Sequence, residues 1–382
     1  MGCVELRREN WKYLQFEDVF VDVSKRGKKI PKSDYLSEGR FPIIDQGQKY
    51  VAGYSNSSEK LYSDVPALIF GDHTRIIKYV DVPFFLGADG VKLLKSKLSD
   101  VDYKFLYYVL SQLHIIDTGY NRHFKYLKEQ IIPLPPLDEQ KRIADVLDKA
   151  SELIKKRKEQ IRLMDELAKS LFIEMFGDPV ENPMGWDVKK LGDLLSDSPQ
   201  NGLYKPSSSY ANGDEGTPIL RIDAFYDGKI TDLSQLKRLH CNENEIILYS
   251  LEEGDIVINR VNSMEYLGKC AYIPVLCEST VFESNMMRLK IQRDILHPRY
   301  AVFLLCSKFI QQQIMSHAKK AVNQASINQT DVMDFNFHIP PLSLQNEFAD
   351  RINVIEQQKA LLQNGLAKME TAYKALMQEY FG

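Results

Sequence analysis

The stretch Pro133–Leu147, PLPPLDEQKRIADVL, returns near the other end of the chain as Ile339–Ile352, IPPLSLQNEFADRI. Gln140 and Gln345 stand 205 positions apart. The same offset aligns Pro135, Pro136 and Leu137 with Pro340, Pro341 and Leu342, Ala144 with Ala349, Met164 with Met369, Leu171 with Leu376, and Phe176-Gly177 with Phe381-Gly382. An ungapped match of this length implies an internal duplication, so whatever one copy folds into, the other must also form. Each copy reads as a helix. The Pro pair excludes helix before it. Asp138 and Ser343 stand where N-caps are expected, and Gly177 and Gly382 where a helix stops.

The apolar spacing says what kind of helix. In the first copy Ile143, Leu147, Ala150, Ile154, Arg157, Ile161, Met164, Ala168, Leu171 and Met175 follow alternating steps of four and three. In the second, Phe348, Ile352, Ile355, Lys359, Leu362, Leu366, Met369, Tyr373, Leu376 and Tyr380 do the same. A pattern sustained this long is a coiled-coil seam rather than the face of a globular helix. Arg157 and Lys359, its only polar members, either set the register or snorkel to water. About 38 residues at 1.5 Å each make a rod of roughly 55 Å. Two seams of equal length in one chain most simply pair with each other; the alternative is two long helices, each packed on its own domain.

Between the helices lie stretches 11–130 and 186–337, which share a plan but little sequence. Each opens on a Trp with a helical tail, at Trp11 and Trp186. Strand-like runs follow: 67–70, 75–80 and 90–95 in the first, 255–259, 269–273 and 286–291 in the second. An amphipathic helix comes next in each, at 102–112 and 298–308, then a polar loop and the Pro-Pro start of the rod. The expected fold is therefore α+β: two globular domains of mixed strands and helices, 1–132 and 179–338, separated by two long helices, 133–178 and 339–382, forming an antiparallel coiled coil. Phe381-Gly382 corresponds to the residues that lead into the second domain, which implies a circular, pseudo-two-fold organisation.

Composition excludes several classes. With 44% hydrophobic and 26% charged residues the chain is an ordinary globular protein able to bury two cores. No apolar run approaches the roughly 18 residues a membrane helix needs, and MGCVELRRENWKYL has no secretory h-region. Its MGC start resembles a lipidation signal, but Leu6 stands where Ser or Thr is wanted. Cys3, Cys241, Cys270, Cys277 and Cys306 are an odd number without C-x-x-C spacing, hence reduced thiols of a cytoplasmic protein. Cys270 and Cys277 lack the partners of a zinc site. No phosphate loop, dinucleotide fingerprint or methyltransferase motif is present. Glu139-Gln140-Lys141 has the form of a nuclease half-site but sits on a helix, and the histidines of HTR and NRHFK have no paired carboxylate. No catalytic residue, bound cofactor or metal is expected.

What remains is a set of polar loops. The first domain carries Lys25, Arg26, Lys28 and Lys29, then His73, Thr74 and Arg75, then Asn121, Arg122 and Lys125. The second carries Tyr204 and Lys205, Arg221, then Asn259, Arg260 and Asn262, then Lys319, Lys320 and Gln324. Lys and Arg neutralise phosphates; Arg reads guanine and Asn or Gln adenine. A basic run is often only solvated surface, but here GDHTR follows one strand and NRVNS closes the matching one. A net charge of −3 means that any nucleic-acid contact is local.

At this point the chain resembles the specificity subunit of a type I restriction–modification enzyme. The doubled PPLDEQKRIADVLD and PPLSLQNEFADRI carry the resemblance, with FPIIDQG (41–47), GDHTR and GADGVK (71–92) and GDIVINRVNS (254–263), across essentially the whole chain. One departure is Leu344, which stands where the family usually has an acidic residue before the Gln. The resemblance implies two target recognition domains, each binding half of a split double-stranded DNA sequence, with the helices as a spacer. Half-sites on one DNA face lie about 34–36 Å apart, within the span of a rod of roughly 55 Å that tilts. It further implies no activity of its own, two adenine methyltransferase subunits and two motor–nuclease subunits as partners, and AdoMet, ATP and magnesium confined to those partners. A specificity subunit of another restriction class and a coiled-coil scaffold that binds proteins are the alternatives.

Overall fold

The computed structural model describes residues 9–382 other than 88, 89, 120, 212, 214 and 323. Cys3 and Leu6 lie outside the described residues. The chain divides into two compact units: residues up to Glu159 together with Leu362–Gly382, and Gln160–Leu361. The long helices Leu137–Phe176 and Leu342–Phe381 are each shared, one half to each unit.

Both units are built to one plan. In the first, Lys12–Gln15 pairs antiparallel with Ile131–Leu134, and Phe16 N–H donates to Gln130 O at 3.0 Å. In the second, Asp187–Lys190 pairs with Asn336–Ile339, and Leu191 N–H donates to Phe335 O at 2.8 Å. The segments after the two Trp residues are therefore strands, not the helices their local pattern suggests; only a single helical turn follows, Phe16–Val19 or Leu191–Leu194. Each finds its hydrogen bonds in a distant partner, the strand just ahead of the Pro pair.

A four-stranded antiparallel sheet forms the centre of each unit. In the first its order is Phe20–Asp22, Val91–Ser96, Ala67–Gly71, Ile77–Val80; in the second it is Gln200–Asn201, Met286–Leu289, Ile256–Asn259, Cys270–Tyr272. The central strands Ala67–Gly71 and Ile256–Asn259 are buried throughout. Period-two alternation splits their side chains between two cores. Leu68 and Phe70 join the cluster containing Phe105 and Leu106, while Ala67 and Ile69 join that of Val80 and Leu93. Ile256 and Ile258 likewise face Tyr300 and Phe348, while Val257 faces Phe225 and Phe282. A three-stranded sheet completes each unit: Phe41–Ile44 between antiparallel Gly53–Ser55 and parallel Phe85–Leu86, and Thr217–Leu220 between antiparallel Lys237–Leu239 and parallel Val281–Phe282.

The doubled motif occupies the same position in both units. Helix Tyr103–Gln112 is capped by Asp102, whose carboxylate accepts from Phe105 N–H at 2.8 Å; helix Pro298–Leu305 is capped by His297, whose Nδ1 accepts from Arg299 N–H at 3.1 Å. Gln140 is buried, accepts from Asp102 N–H at 2.9 Å and donates to Pro135 O at 2.8 Å. Gln345 is buried, accepts from His297 N–H at 2.8 Å and donates to Pro340 O at 2.8 Å. One side chain thus ties the start of the preceding helix to the Pro-Pro turn, twice.

The long helices begin at Leu137 and Leu342, immediately after the Pro pairs. Asp138 and Ser343 consequently sit inside the first turn rather than capping it, and the backbone carbonyls of Pro136 and Pro341 accept the first helical N–H groups. Leu344 packs against the second unit's core. Gly177 ends the first helix at φ +78°, where an added Cβ would meet Pro183 Cγ at 2.5 Å.

The helix halves run antiparallel within each unit. In the first, Ile143 and Leu147 share a core with Met377, while Lys158 pairs with Glu370 at 2.8 Å. In the second, Asp165 pairs with Lys359 at 2.6 Å, while the Phe172 and Phe176 rings lie 5.6 and 5.3 Å from Phe348. Positions spaced by four and three are the shielded ones, which defines a coiled coil. Shielding is graded: Ile143, Leu147, Phe348 and Ile352 are fully buried, whereas Ile154, Ile161, Leu362 and Leu366 are half-buried.

Candidate nucleic-acid interface

In both units the loop leaving the central strand meets the loop that precedes a short helix. In the first unit the strand ends at Gly71 and the loop continues through Asp72, His73, Thr74 and Arg75. Asp72 is buried; its carboxylate accepts from Phe124 N–H at 2.8 Å and its carbonyl from His123 N–H at 2.8 Å. His73 Nδ1 lies 3.1 Å from Asn121 O. The GDHTR and NRHFK segments are therefore joined, leaving Asn121, Arg122 and Lys125 exposed around helix Phe124–Lys128. Gln46 supports the same loop, its side-chain oxygen accepting from His73 N–H at 3.1 Å and its carbonyl from the Thr74 hydroxyl at 2.7 Å.

Arg75 turns inward. At φ +61° it donates to Ile115 O at 3.2 Å and pairs with Asp117 at 2.7 Å. The Lys25–Lys29 run is held elsewhere, bridged at Lys29 to strand Phe85–Leu86, with Lys25 and Arg26 exposed and Lys28 paired to Glu59 at 3.3 Å.

In the second unit Val261–Asn262 pairs with Ala325–Ser326, which pairs in turn with Lys319–Lys320; Ile327 N–H donates to Arg260 O at 3.0 Å. This ribbon joins NRVNS to KKAVNQ and exposes Lys319, Lys320 and Gln324. It leads into helix Gln329–Met333, 205 positions after helix Phe124–Lys128. Asn259 is fully buried, with its amide 3.5 Å from Tyr266 O and its side-chain oxygen without a hydrogen-bond partner among the described residues. Arg260 donates to Ser284 O at 3.1 Å, while its buried Nε has no hydrogen-bond partner among them. Arg221 Nε lies 3.6 Å from Glu283, a carboxyl that burial pushes above the usual range. Asn262 accepts from Ser263 N–H at 2.8 Å, Lys205 pairs with Glu245 at 2.7 Å, and Tyr204 is exposed.

Sequence reasoning passed over Gln46 and Asp72, although DQG and GDH each place a polar residue just past a buried apolar strand. Among the described residues no cluster of three or more His, Cys, Asp or Glu could hold a metal ion. Cys270 Sγ lies 3.5 Å from Cys306 Sγ, and Cys277 is exposed. No helix among those residues is long and apolar enough to cross a membrane.

One scaffold built twice, with different loops at the same two places, defines a duplicated recognition protein. The family model described as type I restriction modification DNA specificity domain matches residues 8–163 and 183–371. The chain belongs to this family. It is 31% identical over 204 residues to the MjaX specificity subunit of Methanocaldococcus jannaschii, itself only provisionally assigned to a type I restriction enzyme; the match covers 53% of this chain and 46% of that protein. It is 26% identical over 271 residues to the type I restriction enzyme EcoKI specificity subunit of Escherichia coli K12, covering 65% of this chain and 56% of that one. The chain thus spans about half the length of these relatives. In fold it is similar to the crystal structure of the type I restriction-modification system S subunit from M. genitalium, with a TM-score of 0.63 at 16% identity over 99% of this chain and 98% of that one.

Proposed function

We propose that this chain is the DNA sequence-recognition subunit of a type I restriction–modification enzyme and performs no reaction itself. The observation that carries the reading is the repeated scaffold with unlike loops. A shared fold offers two similar surfaces to two identical partners, and unlike loops suit two unlike halves of one split target. Each mismatched base pair typically costs about 1–3 kcal/mol, so two modest readers in tandem reach a specificity neither has alone. Arg122, Lys125, Lys319, Lys320 and Gln324 are the contacts to DNA in this reading, while Asn259, Thr74 and Arg75 hold the loops in shape. The partners are two adenine methyltransferase subunits and, in the full enzyme, motor–nuclease subunits. AdoMet, ATP and magnesium act there, in the cytoplasm. Mapping N6-methyladenine across genomic DNA with and without this gene, its methyltransferase left in place, tests the proposal. Loss of methylation at one split motif is the expected result; an unchanged pattern contradicts it.

A further inference from the structure

Because one scaffold is built twice, each unit reveals which residues of the other the scaffold does not require. The N-caps Asp102 and His297 are equivalent, and nine residues beyond them stand Ser111 and Cys306. The strand residues Phe70 and Ile258 both face that helix, and opposite them stand Ile77 and Cys270. In the first unit Ile77 and Ser111 line one cleft. In the second, Cys270 and Cys306 fill the matching places, their Sγ atoms 3.5 Å apart. The first unit closes this layer without a thiol, so packing does not demand the pair.

Both cysteines are anchored through their backbones. Cys270 lies in the strand Cys270–Tyr272, paired with Ile258, and Cys306 ends helix Pro298–Leu305 with its N–H donating to Val302 O at 3.0 Å. Cys270 is buried and Cys306 exposed. Contact with Cys306 and then burial push the Cys270 thiol well above its ordinary range. Among the described residues the pair has no third His, Cys, Asp or Glu with which to hold a metal ion. An exposed sulfur that a reagent reaches, with a second sulfur touching it from behind, is the arrangement that thiol–disulfide exchange requires.

We infer that Cys270 and Cys306 form a dithiol site that a small-molecule disulfide oxidises reversibly, cross-linking strand to helix within the second unit. The Cys306 thiolate attacks one sulfur of the small disulfide; a mixed disulfide forms and one small thiol leaves. Cys270, its proton given to water, then attacks Cys306 Sγ and expels the second small thiol. Two protein thiols are oxidised to one disulfide, and the small disulfide is reduced to two thiols. The protein sulfurs close from 3.5 Å to about 2 Å. The bond braces the base of two loops. Its strand is entered from the turn that continues NRVNS, where Lys269 O accepts from Asn259 N–H at 2.8 Å. Its helix is followed by Lys308–His317 and the Lys319–Lys320 ribbon. The inference stands independently of the DNA-reading function proposed above.

The test treats the full chain with oxidised glutathione in native buffer, blocks remaining thiols with N-ethylmaleimide, and digests it without reductant for mass spectrometry. A Cys270–Cys306 cross-linked peptide is expected, lost again in excess reduced glutathione. In Cys270→Ala the glutathione adduct at Cys306 should accumulate instead. Oxidised wild type should melt roughly 5–10 °C above the reduced form, because the bond closes a loop of 36 residues. A stable wild-type adduct at Cys306 without the cross-link overturns the inference, as does the absence of any modification at Cys306. So does a cross-link that forms only in urea, or one that lowers the melting temperature, since the native fold would then not accommodate the bond.

Discussion

Gln140 and Gln345 illustrate how narrowly a repeated residue can be specified. Each must accept from a backbone N–H at a helix start and donate to a proline carbonyl five residues back, both out of water. Glutamate lacks the donor and asparagine lacks the reach. Gln140→Ala or Gln345→Ala should each destabilise its unit by on the order of 2 kcal/mol or more, because the partners are left unpaired. Urea titration followed by circular dichroism checks this, and a loss within measurement error would show that water replaces the amide. The offset of 205 made these residues conspicuous, yet nothing local indicated their role, since Asp102 and His297 lie 38 and 48 positions away. The same blindness to distance explains Asn259. In sequence it stands in a polar loop; in the fold it is the last residue of a strand buried throughout.

At the scale of elements, what was legible was whatever local pattern enforces. The long helices, the apolar central strands and the helices after them stand where their spacing puts them. The strands after Trp11 and Trp186 read as helix because LQFEDVF and KKLGDLL carry apolar residues at helical spacing; their strand partners lie more than a hundred residues on. The parallel pairs Phe41–Ile44 with Phe85–Leu86 and Thr217–Leu220 with Val281–Phe282 are non-local in the same way. The seam adds a quantitative expectation. From spacing alone, Ile161→Asp and Leu366→Asp should break the rod. Half-burial lets a carboxylate there reach water, so each should cost only about 1–2 kcal/mol, whereas Ile143→Asp and Ile352→Asp, at fully buried positions, should cost on the order of 4 kcal/mol or more. Melting temperatures of the four variants decide it; equal losses would mean that the middle of the pair is as dry as its ends.

For the whole molecule, charge sets the expectation. Its 49 Lys and Arg are outnumbered by 52 Asp and Glu, and several candidate contacts are already paired within the chain, among them Lys28, Arg75 and Lys205. Few counterions would be released on binding, so the isolated chain should bind duplex DNA weakly and with a shallow dependence on salt. Fluorescence anisotropy with a duplex carrying the proposed target, with and without the proposed methyltransferase partner, measures this. Tight, steeply salt-sensitive binding by the chain alone would overturn it.

The first unit also draws residues from both ends of the sequence. Met377 lies in the core that holds Trp11, Phe16 and Phe105, and the Phe381 ring lies 5.7 Å from that of Phe105. The second unit, Gln160–Leu361, is continuous. A ribosome making this chain therefore completes the second unit first. The domain begun earliest must wait, its core open on one side, until the last helix has left the exit tunnel.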